Sequence, residues 1–378
     1  MPDVNITYDR RRHAIDVSFK SERNISYERL RINFAGKELN RADRLITRME
    51  STSAKCAKLR RRTQFAKSAQ SNRKALDMVY NYGCHLFDTI RRECRRTNVD
   101  SFEDLFGEIE SDFSVVLNLD RVTRRIPWEL ANDGRIFLFE AYDVGRAVLF
   151  PNKPVELTVT IKSRKALVVG LDYRWLDEDD ILETPTREVE LVQKRLQKLG
   201  YSVKVLLNED ATLENVQHFL SNGVGVFHFT GHGNYRPEAP QGFRRSLILY
   251  GYEDSTGFDV ELSEGWLEHC FSEAGRAPWF IFLNACQSAK EIYGSDMIDE
   301  FVSYGTSNVI GTSWSVFDKP SKDFVVKFYD QILKTKTIGH ALSLTRWNCH
   351  QEKRNDMACT WPSYVLYGNP NAWFRRAP

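Results

Sequence analysis

A histidine and a cysteine stand at the ends of two apolar runs. VGVFHFT (224–230) leads into Gly231, His232 and Gly233, and WFIFLNA (279–285) leads into Cys286, Gln287 and Ser288. A free thiol, with a pKa near about 8.5, is only a few per cent ionised at neutral pH and needs a base to become a nucleophile. An imidazole is such a base, and it can later return the proton to a leaving amine. The pair therefore predicts acyl chemistry, with Cys286 attacking and His232 moving the proton. The glycines flanking His232 allow close approach of backbone to substrate. The amides of Gly233 and Cys286 are the donors expected for a developing oxyanion. Each residue also has a plainer alternative, since a cysteine ending an apolar strand is often a small buried hydrophobe. His228 lies inside its run and reads as structural. Cys270 and His269 are adjacent and diverge on a helix, and Cys349, His350 and Cys359 lack metal-ligand spacing, so no metal or cofactor is expected.

Positioning such a pair is the work of the surrounding elements. Short apolar runs bounded by Gly or Pro read as buried strands. In open α/β sheets, ligands bind outside the carboxyl ends of the strands. From 166 onward the chain alternates: ALVVG (166–170), a helix begun by Thr184 and Pro185 with Val189, Val192, Leu196 and Leu199 on one face, then YSVKVLL (201–207). Thr212 opens a second helix ending at Gly223, and VGVFHFT follows. This β-α-β-α-β order predicts a parallel sheet. An insertion spans 234–278 with SLILYGY (246–252) inside it; NVIGTSW (308–314) is a fifth strand, and helices follow at 320–334 and 338–349. WPSYVLYG (361–368) closes the chain as an expected edge strand, because of Pro362. Upstream, residues 3–19 alternate as a hairpin and 36–97 read as helical. The runs 113–119, 135–142 (RIFLFEAY) and 151–165 read as extended, and a soft boundary falls near 98–112. The fold class is α/β, a mostly parallel sheet flanked by helices, behind an N-terminal β-hairpin and helical region.

The totals narrow the classes. The chain of 378 residues, with 53 basic and 51 acidic side chains, carries a net charge of +2, which gives no general reason to bind nucleic acid. Residues 51–76 hold eight basic residues (Lys55, Lys58, Arg60, Arg61, Arg62, Lys67, Arg73, Lys74) and no acid. This stretch reads as a solvated helix face or as a docking surface for an activating protein or ligand. It lacks the interleaved aromatics that single-stranded nucleic acid would stack on. No apolar run reaches the roughly 18–20 residues of a membrane span. The start shows no signal-peptide pattern, and seven widely spaced cysteines without CxxC suggest neither disulfides nor zinc. The expectation is a cytoplasmic protein with reduced thiols.

HFTGHG (228–233) and LNACQS (283–288) resemble the signature pair of CHAT domains, the caspase-like cysteine peptidases. RIPWEL (125–130), ALVVG, NEDATLENV (208–216), SLILYG (246–251), SNVIGTSWSVFD (307–318), FYDQIL (328–333), HALSLTRW (340–347) and WPSYVLYGNP (361–370) follow in the family's order. The resemblance covers roughly 113–372 and implies a peptidase domain over 113–378 with its catalytic core in 164–372; residues 1–98 form a separate hairpin and basic helical region. It implies His232 as general base, Cys286 as nucleophile, and Gly233 and Cys286 as oxyanion donors. It further implies a substrate pocket between the first strand, the Cys strand and the loop after the fifth strand. Asp172, Asn284, Ser313, Trp314 and Asp318 occupy those places, although some relatives have Asp where Asn284 stands. An acid there favours cleavage after Arg or Lys, because a buried charge needs a partner. The implied activity is a regulated endopeptidase acting on one or few proteins, in a defence or cell-death pathway with a gasdermin-like companion as substrate. A catalytically silent scaffold of the same fold and a Cys–His acyltransferase or thioesterase are the competing readings.

Overall fold

The computed structural model describes residues 3–9, 14–20, 28–32, 35–61, 65–93, 99–106, 114–148, 163–176, 178, 180–236, 238–239, 244–251, 260–286, 288–289, 297–335, 337–352 and 357–374. For 3–36 and 53–72 the description extends to the backbone only. The chain divides into two compact units. One comprises Met1–Glu156, Thr337–Pro362 and Leu366–Ala372; the other comprises Leu157–Lys336, Ser363–Val365 and Trp373–Pro378. The boundary expected near 98–112 lies inside the first unit.

The first unit opens with strands β1 (Asp3–Asp9), β2 (Ala14–Lys20) and β3 (Glu28–Ile32), paired antiparallel in sequence order. Helices α1 (Ala35–Arg61) and α2 (Phe65–Glu93) follow, then the short α3 (Phe102–Phe106). The basic stretch thus spans the end of α1 and the start of α2. Most of its side chains lie outside the described residues; Arg73 and Lys74 are exposed. Strand β4 (Ser114–Leu119) pairs parallel with β1 on one side and with β5 (Asp143–Val148) on the other.

Between β4 and β5 the RIFLFEAY segment is not the strand its apolar content predicts. Phe137, Leu138 and Phe139 are all buried, so no alternation of faces exists to favour a strand. Residues Leu138–Ala141 form a helical turn, α4, whose first turn is closed by Phe137 N donating to Glu140 Oε2 at 2.8 Å. The extended run expected over 151–165 falls mostly outside the described residues. RIPWEL gains a structural role here. Glu129 Oε1 and Oε2 accept from Arg146 Nε and Nη2, each at 2.6 Å, and both side chains are buried. Arg146 also donates to Arg124 O (2.7 Å) and Ile126 O (3.2 Å).

The second unit holds the predicted alternation. Its elements are β6 (Lys165–Gly170), α5 (Pro185–Lys198), β7 (Ser202–Leu207), α6 (Leu213–Ser221) and β8 (Val226–Thr230). The insertion contributes a small antiparallel sheet, β9 (Gly233–Tyr235), β10 (Arg245–Ile248) and β11 (Glu261–Ser263), then α7 (Glu264–Ala274). Strand β12 (Phe280–Asn284), α8 (Met297–Ser303), β13 (Asn308–Thr312) and α9 (Asp318–Ile332) complete it. The strands order as β13-β12-β8-β6-β7, and the pairings of β12 with β13, β12 with β8, β8 with β6 and β6 with β7 are all parallel. They are buried apolar runs because helices cover the sheet; Phe227, Phe229, Phe280, Phe282 and Leu283 are fully enclosed. On one helix-to-helix seam, Arg195 of α5 holds Asp330 of α9 with two 2.8 Å bonds.

Helix α10 (Ile338–Gln351) belongs to the first unit, and strand β14 (Tyr364–Gly368) ends the described chain's regular structure. β14 is not an edge strand. Tyr367 stands opposite Arg146 of β5, and just before the strand Ser363 O accepts from Ser313 N at 2.8 Å. Pro362 sits in a 3₁₀ turn over Trp361–Ser363, ahead of the ladder, so it removes no ladder donor. Among the described residues no helix is long and apolar enough to cross a membrane.

One acid in the second unit is out of place electrically. Burial, then Glu268, Glu264 and Asp299, push the Glu300 carboxyl up to about 7. Its unfolded counterpart ionises near the ordinary value of about 4.3. Between those two values the folded chain holds the extra proton, so stability falls as pH rises through this window. Glu300→Gln should therefore raise the melting temperature at pH 8 by roughly 2–4 °C, the shift about 1 kcal/mol gives in a unit this size, and change little at pH 5. Equal shifts at both pH values would disprove the electrostatic origin.

Candidate active site

Strands β8 and β12 are parallel neighbours with Thr230 opposite Asn284. Two residues beyond each of those positions come His232 and Cys286, so the register delivers both to one end of the sheet. Gly231 N donates to Asn284 O at 3.3 Å. A Cβ built on Gly233 would lie 2.5 Å from Cys286 O and 3.4 Å from the Ala285 Cβ. The backbone after the histidine therefore touches the backbone at the thiol, and only glycine permits it. His232 and Cys286 are both half-buried.

The ring of His232 has a defined tautomer. Its Nε2 lies 2.6 Å from the backbone oxygen of Asp180. A carbonyl has no proton to give, so Nε2 must carry the hydrogen and Nδ1 is left with a lone pair. Tyr173 packs against the same ring, with centroids 4.3 Å apart and planes tilted 37°. Its hydroxyl accepts from His232 N at 2.7 Å and donates to Ile248 O at 2.8 Å. Tyr173 is fully buried and has φ of 58°, a conformation that costs a bulky residue about 1–3 kcal/mol. Pattern and spacing alone do not single it out. The available signal was an aromatic residue directly after the strand-end Asp172.

The thiol loop is tied to β13. Ser288 Oγ accepts from Thr312 N (3.0 Å) and donates to Leu283 O (3.2 Å). Thr312 Oγ1 donates to Ala285 O (2.7 Å), and Ala289 N donates to Thr312 O (2.9 Å). Four bonds hold a turn that presents Cys286, whose Sγ lies 3.9 Å from Val316 O. Ser288 and Thr312 are further residues that motif spacing alone does not single out. By contrast, burial pushes the Cys270 thiol up to about 11, which makes it a poor nucleophile.

Beneath this end of the sheet runs a buried polar line. Tyr329 and Glu188 engage the two ring nitrogens of His228, at 3.2 Å from Nδ1 and 3.0 Å from Nε2. Glu188 Oε2 accepts from Asn284 Nδ2 at 2.8 Å, and Asn284 Oδ1 accepts from the Tyr364 hydroxyl at 2.7 Å. Burial pushes the Glu188 carboxyl up, and the bond to His228 opposes that shift. His228 is thus a framework residue, and so is Asn284. Both polar ends of the Asn284 amide are spent inside the protein.

The other pocket residues expected from the sequence divide likewise. Trp314 is fully buried and so offers no surface to a groove. Ser313 is buried and its amide is bonded to Ser363 O. Asp318 lies in the first turn of α9 but serves the start of α5. Its carboxylate accepts from Glu183 N (2.7 Å), Thr184 N (3.1 Å) and Thr184 Oγ1 (2.5 Å). Burial pushes that carboxyl up against the pull of these bonds. The helix start read from Thr184 and Pro185 is therefore capped by a carboxylate from another helix, not by Thr184 itself. Asp172 is buried, accepts from Asn208 Nδ2 (3.2 Å), and pairs with Arg174 Nε (3.1 Å), whose side chain is 77% exposed. In the acidic run 177–180 that follows, Glu178 and Asp180 are exposed; Asp177 and Asp179 lie outside the described residues. Among the described residues no cluster of His, Cys, Asp or Glu is placed to hold a metal.

This arrangement has counterparts among known proteins. Separase from Saccharomyces cerevisiae, in its complex with securin, superposes with a TM-score of 0.60 at 13% identity, over 98% of this chain and 30% of that one. The chain therefore spans less than a third of that relative. The Arg-specific cysteine proteinase gingipain R (RgpB, Porphyromonas gingivalis) superposes with a TM-score of 0.52 at 11% identity, over 79% of this chain and 68% of that one. At these identities the likeness is one of fold, the caspase-like α/β arrangement. No curated protein sequence matches the chain. The CHAT domain profile matches residues 104–369, well over half of the 378. With the His–Gly and Cys turns standing at adjacent strand ends, the chain belongs to the CHAT domain family.

Proposed function

We propose that the chain is a cysteine endopeptidase working through Cys286 and His232. The observation that carries this reading is the contact between the Gly233 backbone and the Cys286 carbonyl, which sets the imidazole-bearing and thiol-bearing turns against each other. The tautomer fixed by Asp180 O supports it, because the free lone pair on Nδ1 is what a base needs. In the reaction, the Cys286 thiol passes its proton to that nitrogen and the sulfur attacks the scissile carbonyl carbon. The oxyanion is received by the amides of Gly233 and Cys286. The imidazolium then protonates the departing amine, leaving a thioester on Cys286 that water hydrolyses.

A preference for Arg or Lys before the scissile bond rests on Asp172. That carboxylate is at present matched by Arg174, whose exposed guanidinium gains little from the pair and is cheaply displaced by a substrate cation. Regulation through the basic stretch of 51–76, and a companion protein of the gasdermin type as the substrate in a defence pathway, complete the proposal. These two parts rest on the family resemblance and the charge pattern.

The test is a set of fluorogenic peptides with Arg, Lys, Asp or Leu at P1, offered to the wild type and to Cys286→Ala, with and without lysate of the source cell. Cleavage after Arg and Lys that disappears in Cys286→Ala is expected. Cleavage seen only with lysate identifies a required activator. Equal rates after Leu and Arg would remove the role of Asp172. Silence throughout, with no labelling of Cys286 by an electrophile, would favour a non-catalytic scaffold.

A further inference from the structure

The small sheet of the insertion meets the histidine turn in an unusual way. β9 and β10 run antiparallel with Arg245 opposite Tyr235, Ser246 opposite Asn234 and Leu247 opposite Gly233. The same register makes Ile248 and His232 the next pair. A closed pair would exchange two backbone bonds. One is present: Ile248 N donates to His232 O at 3.1 Å. In place of the other stands the hydroxyl of Tyr173, taking the proton of His232 N (2.7 Å) and giving its own to Ile248 O (2.8 Å).

A hydroxyl can do this because it is donor and acceptor at once. It satisfies both backbone groups and holds them beyond direct bonding distance, about 3 Å. The surroundings are shaped for it. A Cβ on Gly231 would come 2.5 Å from the Tyr173 oxygen, so the first glycine of the Gly–His–Gly turn makes room for this hydroxyl. The positive φ of Tyr173 and its complete burial show a side chain held in place at a conformational cost. The same loop continues to Asp180, whose oxygen takes the ring hydrogen of His232.

We propose that Tyr173 is a positioning residue, whose hydroxyl wedges open the His232–Ile248 rung and so sets where the imidazole stands relative to Cys286. The inference rests on the Cys–His reading above. Without the hydroxyl, either the rung closes or two part-buried backbone groups lose their partner, and in both cases His232 shifts. A misplacement of about 1 Å at a reacting group costs on the order of 10²-fold in rate.

Tyr173→Phe removes one oxygen and keeps the ring. The purified full chain is treated with iodoacetamide from pH 5 to pH 10, and modification is read at Cys286 by peptide mapping. Steady-state constants are taken on a peptide with Arg at P1, and melting is followed in parallel. The wild type should show an ionisation governing Cys286 alkylation well below the free-thiol value of about 8.5. In Tyr173→Phe that ionisation should move up toward the free-thiol value, with kcat about 10²-fold lower and KM within about twofold. A wild-type alkylation profile and kcat in a folded Tyr173→Phe overturn the proposal and leave the dyad standing. If Tyr173→Phe does not fold, Gly231→Ala decides, since its methyl meets the same hydroxyl: the same upward shift supports the wedge, and an unchanged profile overturns it. If wild-type Cys286 already behaves as a free thiol and cleaves nothing, the Cys–His reading fails and this inference fails with it.

Discussion

His232→Ala is expected to lower amide cleavage by about 10²–10⁴-fold, the range that a positioned proton-transfer group contributes. That is roughly 2.7–5.4 kcal/mol of transition-state stabilisation. The size follows from its two tasks. With Nε2 bonded to Asp180 O, the ring accepts the thiol proton on Nδ1 and later returns it to an amine that leaves poorly without it. Cys286→Ala should abolish turnover altogether, because it removes the proposed nucleophile; of the other described thiols, Cys270, Cys349 and Cys359 are buried and Cys84 is half-buried on α2. The two residues act on one step, so the double variant should fall no further than Cys286→Ala. The measurement is kcat/KM for wild type, both single variants and the double. A His232→Ala enzyme within twofold of wild type would exclude the imidazole as base.

Glu129→Ala is the largest expected loss of stability. Arg146 is fully enclosed and would keep its charge with no carboxylate, a situation that typically costs about 3–5 kcal/mol. Burial alone would push the Glu129 carboxyl up, but the Arg146 guanidinium outweighs it and holds the carboxyl below its ordinary value. A depressed carboxyl stabilises the fold above its unfolded pKa, and this contribution fades as pH falls through the lower, folded value. Urea unfolding at pH 7, read on the transition of the first unit, checks the magnitude. Replacing both partners, with Glu129→Leu and Arg146→Met, should cost less than Glu129→Ala alone, because Arg146 is then not left charged beside an apolar gap, although the buried Arg346 still loses the Glu129 carboxylate. It will not be free of cost, since Arg124 O and Ile126 O lose their donors. A loss under about 1 kcal/mol in Glu129→Ala would mean that Arg146 finds another acceptor.

Much of the second unit was legible in its sequence because its signals are local. VGVFHFT and WFIFLNA are strands for the reasons their composition suggests, and the strand–helix alternation fixes their direction. Where pattern reading failed, the deciding interaction came from far along the chain or from burial on every side. RIFLFEAY carries apolar residues on consecutive positions, and such a run does not distinguish a buried turn of helix from a strand. Pro362 looked like an edge marker but sits one turn too early to matter. Asp318 and Asn284 have the chemistry of pocket residues. Their carboxylate and amide are consumed by Thr184, 134 positions away, and by Glu188 and Tyr364, which no spacing rule connects to them. Tyr173 escaped notice for a related reason. A tyrosine after a strand is unremarkable until its backbone is seen at positive φ and its hydroxyl inside another strand's rung.

The close approaches at Gly231 and Gly233 bear on how a descendant of this chain would decay. Any side chain at 231 meets the Tyr173 hydroxyl, and any side chain at 233 meets the Cys286 carbonyl, whether or not a substrate is ever cut. Both glycines are thus held by packing and would outlive catalysis in a lineage that abandoned it. The imidazole and the thiol, only half enclosed, have no such protection. In comparing paralogues, then, an intact Gly–x–Gly turn is no witness to activity; only the side chain between the glycines and the one at position 286 testify.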